Sequence, residues 1–231
     1  MGMQLTIESI NYETNGLVMF CVFSIEKGMV IKMGQVFYKK IYSIKEAYVA
    51  LYKGLRTIKY LKRNKKNKLI TPDFIEKIML AVTEVNGCEI CSFEHTKMAL
   101  EMGMSNEEIQ MLLTGNTQNI PVEEASAIFF AQTYADNRGK PTSDTWQRIV
   151  EVYGIKKALG ILGAIRMIMI GNVYGMPFSA LRSRLKGKPI KESSLFYEIS
   201  MILSIIIFLP VAFIHGLISD IAKIPIITFE K

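Results

Sequence analysis

Two of the three cysteines and one of the two histidines in this 231-residue chain fall within eight residues. The stretch reads Glu84-Val-Asn-Gly-Cys88-Glu-Ile-Cys91-Ser-Phe-Glu-His95. On a helix, positions 88, 91 and 95 are i, i+3 and i+7, which puts three side chains on one face. Cys88 follows a glycine at the expected helix start, where the macrodipole and unpaired N–H groups favour a thiolate. His95 lies one turn beyond Cys91 and can take its proton or orient a relay. A Cys-x-x-Cys pair at a helix start closes a disulfide with little movement, which suits reversible two-electron chemistry. Two other readings stay open. The pair is half of a structural zinc site, completed by His95 and a Glu or His215, or two buried helix residues that pack as small hydrophobes. Cys21, in an apolar run, reads as a core residue.

The elements that must position these side chains are helical. Ser43-Ile-Lys-Glu46 is a capping box, followed by Ile44, Ala47, Tyr48, Leu51, Leu55 and Ile58 at helical spacing. That helix runs into Lys62–Lys68, read as a solvated basic loop. Thr71-Pro72 opens the next helix, with Phe74, Ile75, Ile78, Met79, Val82 and Val85 as its buried stripe, and Asn86-Gly87 breaks it. A helix from about Cys88 to Met102 stops at Gly103. A short helix starts at the Ser105–Glu108 capping box and ends near Gly115. A longer one spans Pro121 to Asn137, ending at Gly139. Ser143–Tyr153 and Ile155–Ile170 follow, with Gly154 between them, and Gly160, Gly163 and Ala164 suit close helix packing. The expected fold is therefore all-α. Before residue 43, Asn15-Gly16 is a turn signal ahead of Leu17–Ile25 and reads as a hairpin. Acidic residues precede that apolar run and no positive n-region exists, so it does not read as a signal peptide. Met29 and Met33 offer alternative starts.

The pattern Glu76-x11-Cys88-x2-Cys91-x3-His95, with Phe74–Val82 before it and Glu124 downstream, resembles the alkylhydroperoxidase D-like (AhpD-like) branch of the carboxymuconolactone decarboxylase superfamily. The resemblance covers about residues 43–175. It implies an all-α AhpD-like domain, usually in a homo-oligomer, that reduces peroxides or disulfides. Carried over, Glu76 is the relay base, Cys88 and Cys91 the redox pair and His95 the relay histidine. A lipoyl-type thiol protein is the implied reductant, and neither a cofactor nor a metal is expected. Some peroxidatic members have a histidine just before the second cysteine, where this chain has Ile90. The true decarboxylases lack the Cys pair, so lactone decarboxylation is not expected. The turn spacing to His95 points to Cys91 as nucleophile and Cys88 as resolving thiol. Glu84 reads as a surface acid at a helix end, and Arg166 and Asn172 as structurally paired.

Composition bounds the alternatives. Half the residues are hydrophobic and the mean hydropathy is +0.23, which excludes a disordered chain. Three Cys and two His exclude a four-cysteine or three-histidine metal site on one chain. The net charge of +7 is unevenly placed. Residues 39–68 carry +10, residues 182–191 carry +5, and residues 69–181 carry −5. The loop of the basic block at 39–68 lacks aromatic platforms or a known motif, so no nucleic-acid partner is expected. Residues 199–219 contain no Asp, Glu, Lys or Arg and are long enough to cross a bilayer. The basic flank before them predicts an anchor to the cytoplasmic membrane with the N-terminal side cytoplasmic. The domains expected are an extension at 1–42, the helical domain at 43–180, and the flank with its anchor-like helix at 181–231. The alternative function is a membrane-tethered helical module whose Cys pair is structural or metal-binding.

Overall fold

Ser43, Thr71, Ser105, Thr142 and Ser194 each accept a hydrogen bond from the backbone N–H three residues on, and each starts a helix. Such a cap satisfies one orphan donor and contributes about 1 kcal/mol. The computed structural model describes residues 21–25, 29–33, 39–115 and 120–229. It divides the chain into two compact units, Met1–Phe37 and Tyr38–Lys231.

In the first unit, β1 (Cys21–Ile25) pairs antiparallel with β2 (Met29–Met33), Cys21 facing Met33 and Ile25 facing Met29. The Asn15-Gly16 turn lies outside the described residues, and Cys21–Ile25 is the first strand of this pair rather than the second.

The second unit holds seven helices among the described residues: α1 (Ile44–Lys66), α2 (Pro72–Asn86), α3 (Glu89–Glu101), α4 (Asn106–Leu113), α5 (Val122–Asp136), α6 (Ser143–Leu185) and α7 (Leu195–Ile221). The all-α expectation holds for this unit. Two boundaries differ. α1 continues through most of the basic stretch to Lys66, because Leu61 and Asn64 bury and carry its stripe onward. Asn67 caps it at φ −88° and ψ 5°, and Lys68 turns into the left-handed region at φ 53°. α6 does not stop at Ile170 but runs to Leu185 through Pro177, its apolar face continuing as Val173, Met176 and Ala180. Gly154 interrupts it as expected, with φ 69° and ψ 153°.

The most extensive packing is α1 against α6. It is close because Gly163 lacks a side chain. A Cβ there would lie 3.0 Å from the Leu61 Cβ and 3.1 Å from the Thr57 carbonyl oxygen. The buried stripe of α1 is Ala47, Leu51, Gly54, Arg56, Thr57, Leu61 and Asn64, so the expected Ile44 is outside it and a charged residue is inside it.

α7 packs along α1 and α6. Tyr48 Oη is 2.8 Å from His215 Nδ1, Tyr52 donates to Ser219, and Arg56 Nε donates to Asp220. Lys59 joins Asp220 as well. At the other end Arg184 forks onto both carboxylate oxygens of Glu198 at 2.8 Å. The inward face of α7 is mostly small or polar, with Glu198, Ser204, Ala212, Gly216 and Ser219 beside the buried Met201. Its outward face is Ile206, Ile207, Phe213, Ile214, Leu217 and Ile218, all exposed.

Candidate functional site

α2 and α3 meet at a turn that delivers the cysteines. Gly87 ends α2 in the left-handed region, at φ 74° and ψ 41°, and its N–H donates to the Thr83 carbonyl. A residue with a Cβ is disfavoured there twice over, since the Cβ would also lie 2.8 Å from the Lys39 backbone nitrogen. The next residue, Cys88, is the N-cap of α3, with extended backbone angles and no side-chain cap bond. Cys88 therefore sits just outside the helix rather than as its first helical residue. Its carbonyl still accepts the first intrahelical bond, from Ser92. Cys91 follows in the first turn, and a disulfide joins Cys88 to Cys91.

The pair is nearly sealed. Cys88 is 1 % exposed and Cys91 is 7 % exposed. The lid is α6: a Cβ at Gly175 would stand 2.8 Å from the Cys88 sulfur and 2.9 Å from the Cys91 sulfur. One turn further along α6, the Ser179 hydroxyl donates to Glu89, the residue between the helix cap and Ile90. Gly175 was not singled out from the sequence. Its signal, a glycine within an apolar helix, has the same form as at Gly160 and Gly163.

His95 and Glu76 are brought together. His95 Nδ1 lies 2.7 Å from Glu76 Oε2, across the α2–α3 packing. Glu76 belongs to the buried side of α2 although it is charged, and His95 is half-buried. With Nδ1 held by the carboxylate, the ring nitrogen left for proton exchange is Nε2. Both expected relay residues thus share one hydrogen bond, and both expected thiols share one covalent bond.

The neighbouring Lys77 is also buried, and it binds Glu108 and Glu124 at 2.9 Å each. Burial alone would lower its pKa, but its hydrogen bonds to Glu124 and Glu108 hold it above the ordinary lysine value. Glu124 therefore ties α5 to α2. Glu84 pairs with Lys39 at 2.6 Å. Asn172 donates to Thr83, and Arg166 donates to Tyr134, Lys53 and Ile226. Asn86, two residues before Cys88, accepts from the buried Tyr42 hydroxyl at 2.7 Å and faces the Met169 sulfur.

Among the described residues, no group of three or more His, Cys, Asp or Glu side chains is arranged to hold a metal ion. His215 stacks on Tyr52 at the α1–α7 contact instead.

Residues 51–129 match the model of the carboxymuconolactone decarboxylase family. The matched stretch runs from within α1 into α5 and takes in Glu76, Cys88, Cys91 and His95. No curated protein and no solved structure matches the chain.

Proposed function

We propose that this chain is a thiol-dependent oxidoreductase of the AhpD-like kind, reducing peroxides or disulfides through Cys88 and Cys91. The observation that carries the reading is the conjunction at the start of α3: a disulfide between residues three apart, and within two turns a histidine held by a buried glutamate. The match to the carboxymuconolactone decarboxylase model is compatible with it.

In the reduced enzyme Cys91 acts as nucleophile, being the less enclosed of the two sulfurs. Its thiolate attacks the distal peroxide oxygen, the O–O bond breaks, and the alkoxide leaves as alcohol with a proton supplied through His95. Cys91 is then a sulfenic acid. The Cys88 thiol attacks that sulfur, forms the S–S bond and releases water. Glu76 keeps the imidazole in one orientation and stabilises its charged form during transfer. A dithiol protein of lipoyl type returns two electrons and two protons by thiol–disulfide exchange. The resemblance also supports a homo-oligomer.

The test is reduction of peroxide and of a small disulfide by the full chain and by Cys88→Ser and Cys91→Ser, with thiol and zinc titration. Loss of two thiols per chain on peroxide treatment, without bound zinc, is expected. Stoichiometric zinc would instead establish the tethered metal-binding module. A Cys91→Ser protein that still forms a sulfenic acid at Cys88 would reverse the roles of the two sulfurs.

A second reading concerns location. α6 and α7 are both long and apolar enough to cross a membrane, but the most apolar stretch of α6 is mostly buried in the fold and that of α7 is mostly exposed. We infer that α7 anchors the chain to the cytoplasmic membrane by its outward apolar face. The polar inward face of α7 is bonded to α1 and α6, so a face-on contact keeps these bonds intact. The exposed ribbon is about 40 Å long, from 27 residues at 1.5 Å each. Exposed cations flank it, Arg182, Lys186 and Lys188 before it and Lys59 and Lys223 near its far end. This pattern suits an anionic bilayer. The full chain should sediment with vesicles containing phosphatidylglycerol and less with phosphatidylcholine alone, and an Ile206→Glu/Leu217→Glu variant should remain in the supernatant. No sedimentation with either vesicle would remove the anchor.

A further inference from the structure

A cavity of about 40 Å³ lies between α1, the end of α5 and the middle of α6. That is room for about three waters or one small ligand. Its mouth carries the Glu46–Arg138 ion pair, 2.8 Å apart and partly exposed. Its inner wall is Tyr134, Arg166, Met169 and Val173, all buried.

Two cations face this space without a carboxylate partner among the described residues. Arg166 is 3 % exposed. Its Nε donates to the Tyr134 hydroxyl at 2.8 Å, and its two terminal nitrogens reach only the carbonyls of Lys53 and Ile226. Lys53 Nζ donates to the Gly139 carbonyl at 2.7 Å. The one acid in the lining, Glu46, is already committed to Arg138 and Ser43. Tyr134 accepts from Arg166, and its own O–H is left to donate.

Buried charges are ordinarily paired, since an uncompensated one is strongly unfavourable. Here Arg166 is the buried charge without an anion, and the part-buried Lys53 lines the same space. The rest of the lining is apolar, from Val49, Met169 and Val173. Nothing in the peroxide chemistry uses this cavity.

We propose that this cavity binds a small monocarboxylate. The carboxylate lies between Lys53 and Arg166 and accepts from Tyr134, and a short alkyl group sits against Met169 and Val173. A phosphate would match the charge but gain nothing from the apolar wall.

Calorimetric titration of the full-length protein with acetate, butyrate and inorganic phosphate tests the assignment. Saturable one-to-one binding of butyrate is expected, tighter than acetate and phosphate. Lys53→Met should weaken butyrate by at least about tenfold, the usual scale for one charge-assisted hydrogen bond, and Lys53→Arg should retain binding. Circular dichroism on both variants establishes that they fold. Absence of saturable binding by all three anions, or unchanged butyrate affinity in folded Lys53→Met, would overturn the proposal. Phosphate binding tighter than butyrate would overturn the carboxylate assignment. Peroxide turnover reports on a different site, so failure there leaves this test intact.

Discussion

His95 Nδ1 and Glu76 Oε2 are 2.7 Å apart, joining a residue one turn past Cys91 to the preceding helix. The carboxylate can set both the tautomer and the aim of the imidazole. Glu76→Gln keeps the shape and removes the charge. We expect peroxide turnover to fall by about a hundredfold, the low end for general acid–base catalysis. The disulfide should still form on slow air oxidation. Stopped-flow peroxide consumption beside thiol titration checks this, and unchanged turnover would remove Glu76 from the relay.

Gly175→Ala places a methyl group 2.8 and 2.9 Å from two buried sulfurs that the disulfide ties together. The helix and the α3 turn must separate to admit it. Overpacking of this kind costs about 1–3 kcal/mol. Denaturant unfolding of the oxidised protein should show that loss, while Gly171→Ala, whose Cβ meets only the Ile168 side-chain end at 3.6 Å, should lie within about 0.5 kcal/mol of wild type.

Lys53 gives a pH signature. Burial, with Arg166 and Lys140 close by, pushes its pKa down to about 8. Arg138 and Tyr134 also face it, and Glu46 lines the same cavity from its own helix. The unfolded chain binds the Lys53 proton more tightly than the folded one. The stability penalty is therefore present in full below pH 8 and fades as pH rises toward the ordinary lysine value. The difference in unfolding free energy between wild type and Lys53→Met should move in favour of wild type between pH 7 and 10. A difference that is flat with pH would contradict the assignment.

Asp220 anchors the end of α7 to Arg56, which is almost fully buried, and to the exposed Lys59. Asp220→Asn leaves the Arg56 guanidinium with neutral partners only, the carbonyls of Ile224 and Pro225 and the Tyr52 hydroxyl. Breaking a fully buried pair costs 3–5 kcal/mol, and the partial exposure of Asp220 reduces that to about 2 kcal/mol. Thermal unfolding should show the drop, and Lys59→Met should show much less, its ammonium being solvated.

Much of the helical framework is legible from caps and glycines, because these act locally. Ser43, Thr71 and Ser105 start helices where their side-chain oxygens predict it, and Gly87, Gly103 and Gly154 interrupt or end them. The Cys88, Cys91 and His95 cluster was visible because it is contiguous, and Glu76 through the family pattern. What stayed hidden depends on partners distant in sequence. Arg56 buries because Asp220 and two carbonyls lie 164 or more residues away. Gly175 covers the sulfurs from a helix that spacing alone would end at Ile170. At the end of α1 the many lysines of the sequence conceal the inward-facing Leu61 and Asn64.

Gly175 and Arg166 lie nine residues apart on the same unbroken part of α6, a rise of about 13.5 Å. One rod therefore roofs the sulfurs with its later turns and walls the cationic cavity with its earlier ones. A sliding or tilting of that rod is sensed at both places together. The sulfur pair and the cavity are therefore built on one helix, although no residue belongs to both.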